Sequence, residues 1–140
     1  MAADRKNKGD VIMTPARVIQ KLIIKGRLPS RNDEIKANRT HWAKGGKQKK
    51  EATERVAWEC VRQHLKPMQG KCSIRIRCYE PDMRRDSDNV QSGAVKPILD
   101  GLKLAGIIKD DSRKYVRVTM LPVELDRENP RIEVLIEVSE

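Results

Sequence analysis

From Lys71 to Tyr79 the chain alternates without a break. Cys72, Ile74, Ile76 and Cys78 fall on one side of an extended backbone, and Ser73, Arg75, Arg77 and Tyr79 on the other. Successive side chains of a strand point to opposite faces, so one face of this strand meets a core and the other meets water. A charged segment, Pro81 to Asn89, follows. Apolar residues then recur at helical spacing in Ala94, Ile98, Leu102 and Ala105, thickened by Val95 and Leu99. Gly106 stands where a glycine ends a helix in the left-handed conformation. Pro97 would remove an interior hydrogen bond, which predicts regular helix only from Val95 or Lys96, with Asp88 to Gly93 a separate or kinked turn.

A half-buried strand needs neighbours, and the rest of the chain offers them. The β-branched run from Arg17 to Lys25 reads as a strand ended by Gly26 and Pro29. Tyr115 to Leu121 and Arg131 to Val138 read as two more, joined as a hairpin across Pro122 to Pro130. Between Lys47 and Leu65 a stripe of Ala52, Val56, Cys60 and Val61, extended by Trp58 and Leu65, predicts a helix with Trp58 in the core. Pro67 and Gly70 stop it. Ser30 to Gly46 reads as a polar, basic connection holding a short helical piece. The order predicts an α/β fold, a small single domain with a mixed β-sheet packed against two main helices on one or both faces. Residues 1–15 are expected to form a flexible N-terminal extension and residues 16–140 the domain.

With 140 residues the chain can bury one core. No apolar run approaches the roughly 20 residues that span a bilayer, and the first residues lack an apolar secretory core. The expectation is a soluble, cytoplasmic protein without a membrane. The three cysteines, Cys60, Cys72 and Cys78, form no C-x-x-C pair, and His41 and His64 accompany none. That argues against zinc and against a disulfide framework. All three read as core filler.

The charge is one-sided. Residues 1–70 carry 17 Lys and Arg against 7 acids, whereas residues 71–140 carry 13 of each. The excess thickens between Lys25 and Lys50. Such a field recruits polyanions, and its natural partner is a phosphate backbone, although a solubilising surface has the same composition.

Arg84-Arg85-Asp86-Ser87-Asp88-Asn89 lies between a strand's end and a helix's start, and Asp110-Asp111 follows that same helix. Three carboxylates, Asp86, Asp88 and Asp111, approaching from two loops are what a hard cation such as magnesium needs. An ion held this way activates water and neutralises charge building on phosphorus. The same residues have plainer readings: Asp88 as a helix cap, Asp110-Asp111-Ser112 as a turn, Arg84 and Arg85 as a solvated rim. Beside a basic half-chain, the carboxylates point to a magnesium-dependent nuclease acting on DNA.

The stretch RRDSDNVQSGAVKPILDGLKLAGIIKDD, from Arg84 to Asp111, resembles the core signature of the RusA family of Holliday-junction resolvases. The matching elements are Arg84, Arg85, Asp86, Asp88, Asn89, Lys96, Asp100, Leu102, Gly106, Asp110 and Asp111. The upstream LPSRNDEIKANRTHWAKGGKQKKEA resembles members carried by phages and prophages. The resemblance implies a RusA-like endonuclease domain that acts as a homodimer. Its action would be to resolve Holliday junctions, four-way DNA, by paired phosphodiester cleavage in recombination and repair. Magnesium is the implied cofactor, with manganese as a substitute, and no small-molecule cofactor is implied.

By the same resemblance Asp86, Asp88 and Asp111 would be the catalytic metal carboxylates and Lys96 a catalytic cation near the scissile phosphate. Asn89, Asp100 and Asp110 would support them. Asp100, four residues beyond Lys96, can orient it or can be a surface ion pair of small worth. Six residues, VQSGAV, separate Asn89 from Lys96, about one helical turn more than the compact family pattern. Arg84, Arg85, Lys44, Lys47, Lys49 and Lys50 are the expected DNA contacts. The chain has no Phe, so stacking on bases falls to Trp42, Trp58, Tyr79 or Tyr115, with Trp42 in the basic segment the leading candidate. Two alternatives stay open: a non-catalytic DNA-binding protein of the same fold, and a nuclease preferring flaps or forks.

Overall fold

A computed structural model describes residues 18–40 and 42–138, with the backbone alone at residues 40 and 42. The expected extension, residues 1–15, lies outside the described residues. The elements run β1 (Ile19–Lys25), α1 (Arg31–Thr40), α2 (Trp42–Arg62), β2 (Cys72–Glu80), α3 (Ser87–Leu104), β3 (Val116–Met120), β4 (Glu124–Leu125) and β5 (Arg131–Val138). The fold is a small mixed α/β domain, as the sequence predicts.

The alternating strand β2 is the centre of the sheet, whose order is β1-β5-β2-β3. β5 runs antiparallel to β2, pairing Cys72 with Val138 and Tyr79 with Arg131. β1 lies antiparallel on the far side of β5. On the other flank β3 runs parallel to β2, from Cys72 opposite Val116 to Ile76 opposite Met120. The short β4 resumes that flank opposite Tyr79 and Glu80. The expected hairpin between the last two long strands is therefore absent: β3 and β5 flank β2 instead of each other. The helix between β2 and β3 explains this, because a parallel pair needs a crossover that a tight turn cannot supply.

The inward faces of the strands bury Leu22, Ile24, Ile74, Ile76, Val134 and Ile136 completely, against Val56 and Cys60 of α2 and Ile98 and Leu102 of α3. Burying each such aliphatic side chain contributes about 2 kcal/mol. The opposite face is covered by ion pairs, among them Lys21–Glu133 at 3.4 Å, Arg75–Glu137 at 3.9 Å and Arg77–Glu124 at 3.0 Å. All three cysteines are buried and free. Burial, helped by neighbouring Glu59 and Glu80 respectively, pushes the Cys60 thiol up to about 11 and Cys78 to about 12. They are packing residues, as expected. Among the described residues no helix is long and apolar enough to cross a membrane.

Three helical expectations change. α3 starts at Ser87 and runs unbroken through Pro97. The proline ring conflicts with the carbonyl four residues back, which belongs to Gly93, the residue type whose backbone adjusts most readily. α2 starts at Trp42 rather than Lys47, and Trp58 is 61% exposed and Val61 64% exposed instead of core. Trp58 follows Val56 by two residues, about 200° round the helix, which carries it away from the buried stripe of Ala52, Val56 and Cys60. α2 ends before the expected proline. His64 adopts a left-handed φ of 60° and donates its N–H to Val61 O at 3.1 Å, while Leu65 donates to Cys60 O at 3.0 Å. That is a helix-terminating motif with histidine where glycine fits best.

Backbone contact fixes α3. A Cβ on Gly93 would stand 2.2 Å from Pro29 O and 2.6 Å from Ser30 Cα. Gly93→Ala, which in an open helix would gain about 1 kcal/mol, is expected instead to cost about 3 kcal/mol through overpacking against rigid backbone. His64→Gly is expected to raise stability by about 1 kcal/mol by relieving the left-handed residue. Urea denaturation midpoints check both, and the two shifts should have opposite signs.

Candidate active site

The site is assembled around the two ends of α3. At its head, Glu80 is the last residue of β2 and only 5% exposed. It continues the inward series Cys72, Ile74, Ile76, Cys78, so its charge enters the protein interior and needs partners. Arg27 supplies two hydrogen bonds, Nη2 to Oε1 at 2.8 Å and Nε to Oε2 at 3.3 Å. Arg85 stands 3.9 Å from the same carboxylate. Sequence reasoning missed Glu80, although an acid at an inward position of a strict alternation was a usable signal.

Arg85 ties the loop before α3 to the start of α1. It donates to Asp33 Oδ2 at 2.6 Å and to Leu28 O at 3.2 Å. Asp33 is half of a reciprocal cap. Its Oδ2 accepts the Ser30 N–H at 2.9 Å, and its own N–H is donated to Ser30 Oγ at 3.2 Å. The pattern Ser30-x-x-Asp33 is a capping signature and explains why a helix occupies the segment read as a basic connection. Burial alone would raise the Asp33 carboxyl, but the Ser30 hydrogen bonds and the charges of Arg85 and Arg27 outweigh it and hold it below the ordinary range. Arg85 therefore joins Leu28, Asp33 and Glu80. Arg84 is exposed, with its N–H donated to Asp82 Oδ1 at 3.0 Å.

Asp86 is the N-cap residue of α3 by backbone conformation, though its side chain makes no capping hydrogen bond. Asp88 lies in the first turn, where the helix dipole favours an anion. Both are exposed, and Asn89 beside them is half-buried.

At the tail, Gly106 has φ of 77°. Its N–H is donated to Lys103 O at 3.0 Å, and that of the buried Ile107 to Leu102 O at 2.9 Å. This paired termination turns the chain back along α3. The return brings Asp111 to Lys96: Nζ lies 3.3 Å from Asp111 Oδ2 and 3.1 Å from Asp100 Oδ1. Lys103 joins at 3.8 Å from Asp110 and 3.9 Å from Asp111. Asp110 Oδ1 accepts the Asp111 N–H at 2.8 Å, which fixes the turn. Lys96 is thus joined to Asp100 and Asp111 despite the longer spacing from Asn89.

The hydrogen bond to Asp100, then that to Asp111, raises Lys96 above the ordinary lysine value. The hydrogen bond from Lys96 is the first cause that holds Asp111 below the ordinary carboxylate range. Both are charged at neutral pH. The stabilisation that Asp111 draws from the pair is present above the ordinary carboxylate value and is lost as pH falls through its lowered one.

The three expected metal carboxylates do not stand together. Among the described residues no group of three or more carboxylate, imidazole or thiol side chains could hold a metal ion. The donor type suits a hard cation. The arrangement does not gather those donors.

The DNA-contact candidates Lys44, Lys47, Lys49 and Lys50 are all exposed along the first half of α2. The side chain of Trp42 lies outside the described residues. Tyr79 is covered by the Arg131 guanidinium 3.7 Å from its ring centroid, and Tyr115 is flanked by Lys109 and Lys114, each at 5.6 Å.

Lys96→Gln is expected to move the Asp111 titration upward toward the ordinary carboxylate value, because the largest cause of its depression is removed. Carboxyl ¹³C shifts followed through acid pH measure it. An unmoved midpoint would show that Lys103 sustains the depression instead.

Residues 27–137 match the family described as endodeoxyribonuclease RusA. Among curated proteins, none matches the chain. The matched span begins at Arg27, which neutralises Glu80, takes in α3 and the Asp110-Asp111 turn, and ends in β5. The chain belongs to the RusA endodeoxyribonuclease family.

Proposed function

We propose that this protein is a magnesium-dependent, structure-specific endonuclease that resolves four-way DNA junctions by paired phosphodiester cleavage, in recombination and repair. The observation that carries the reading is the contact of Lys96 with both Asp100 and Asp111 in a chain of this family. An ammonium whose proton is held by two carboxylates is not a base. It serves as a fixed positive charge for a phosphate oxygen, and the charge it offers grows in value as negative charge builds on phosphorus. Asp100 orients Lys96 along the helix, and Asp110 fixes the turn that presents Asp111. Asp86, Asp88 and Asp111 are the proposed magnesium carboxylates, with manganese as a substitute. The ion would supply Lewis acidity and a more acidic water. That assignment needs the carboxylates drawn closer than they stand here, with Asp111 exchanging its lysine for the cation.

Homodimerisation follows from the substrate. A four-way junction has approximate two-fold symmetry, and two matched cuts call for two matched sites. The proposed compartment is the cytoplasm, and no small-molecule cofactor is needed.

One observation favours a second reading, a DNA-binding protein that does not cut: among the described residues no three carboxylates are gathered into a group that could hold a metal ion. A third reading, a nuclease preferring flaps or forks, differs only in branch choice. Cleavage of a labelled junction, a flap and a plain duplex separates all three. Asp88→Asn and Asp111→Asn are each expected to lower junction cleavage by a factor of about 10³ or more while leaving junction binding intact, and EDTA should have the same effect. Undiminished cutting by both variants would sink the assignment.

A further inference from the structure

A cleft of about 660 Å³ opens beside Asp111, and its polar lining is Lys71, Arg113, Lys114, Arg117 and Asp111. Its cations come from three places: the approach to β2, the turn before β3, and β3 itself. All four are exposed. Among the described residues none of them has a carboxylate within ion-pair distance, whereas four other cations of the sheet are paired: Lys21 with Glu133, Arg75 with Glu137, Arg77 with Glu124, Arg131 with Asp126. The one acid in the cleft, Asp111, is already met by Lys96 and Lys103. The cleft is therefore an uncompensated positive groove in a half-chain whose formal charge is zero.

We propose that this cleft binds the phosphodiester backbone of a DNA strand and leads it to Lys96 and Asp111. The proposal rests on the nuclease reading above and deepens it by naming the strand's path. Four cations with neither paired acid nor stacking ring in the lining recognise phosphate rather than bases. Guanidinium groups at Arg113 and Arg117 can each take two phosphate oxygens, and Lys71 and Lys114 add point charge. A cleft of this kind positions a strand without reading its sequence, so it should serve duplex arms and junction arms alike.

The test is anisotropy of a fluorescein-labelled four-way junction, and of a duplex of equal length, across a potassium chloride series. The full chain is compared with Arg113→Gln/Arg117→Gln, with Lys71→Gln, and with Lys21→Gln/Arg75→Gln, a control that removes the same charge from the paired face. All the substituted side chains are exposed or rim positions, and circular dichroism checks folding. Losing two phosphate contacts should flatten the slope of log K against log salt by about 2 and weaken binding about tenfold or more on both DNAs. Lys71→Gln should flatten it by about 1, and the control should stay near the parent. Parent-like slopes in both cleft variants, or an equal loss in the control, would overturn the proposal. Failure of the nuclease reading looks different: the parent binds with the expected slope, the cleft variants lose it, and no DNA is cut with magnesium.

Discussion

Two glycines let α3 lie closer to its neighbours than any side chain would allow, and the rest of the molecule is arranged around that approach. Gly93 meets the backbone of Pro29 and Ser30, and Gly101 leaves 2.5 Å between a hypothetical Cβ and the Val56 side chain. The first contact sets α3 against the cap of α1, and the second sets it against α2. Interiors this tightly packed do not deform gradually, so the position of the helix is held rather than averaged. Lys96, Asp100 and Lys103 take their places from it. Through the turn at Gly106, so does Asp111.

Much of this was legible beforehand. The alternation in β2 and the stripe of α3 were clear because each burial period matched one element, and Gly106 ended the helix as its residue type requires. The misreadings have local causes. Pro97 suggested a break because proline rules describe an isolated helix, whereas here the residue four back is glycine. Trp58 was assigned to the core by its apolar character, but its angle on the helix decided otherwise. The partners of β3 and β5 depended on a crossover, a property of the whole sheet that no strand's composition records. For the candidate site, the segment carrying Asp86, Asp88, Lys96 and Asp111 could be read directly. Which of those side chains touch could not, because that depends on how far the chain returns after Gly106. Glu80 was hidden by its ordinary polarity, and only its inward position marks it.

Electrostatics gives the same lesson in another form. Counting charges by halves of the chain assigned all the excess to residues 1–70. Folding redistributes it. Acids of the second half are consumed by cations from both halves, Glu80 by Arg27 and Glu133 by Lys21 and Arg131. That leaves Arg113, Lys114 and Arg117 without counter-charge at one border of the sheet. A field is made by what pairing leaves over, and pairing is a property of the fold.

The borders of the sheet carry one more consequence. Its outermost strands are β1, with Lys21 and Lys25, and β3, with Arg117 and the basic turn that precedes it. On β1 the outward groups of Ile23 are already taken by Gln63, which accepts the N–H at Oε1 (3.0 Å) and donates Nε2 to the carbonyl (2.6 Å), so the border where a second copy could add, ladder to ladder, is β3. The unpaired cations along that border make the encounter repulsive, and the break between β3 and β4 shortens the run available to it. The same residues that attract a polyanion thus guard the molecule against growing into a continuous sheet with its own copies.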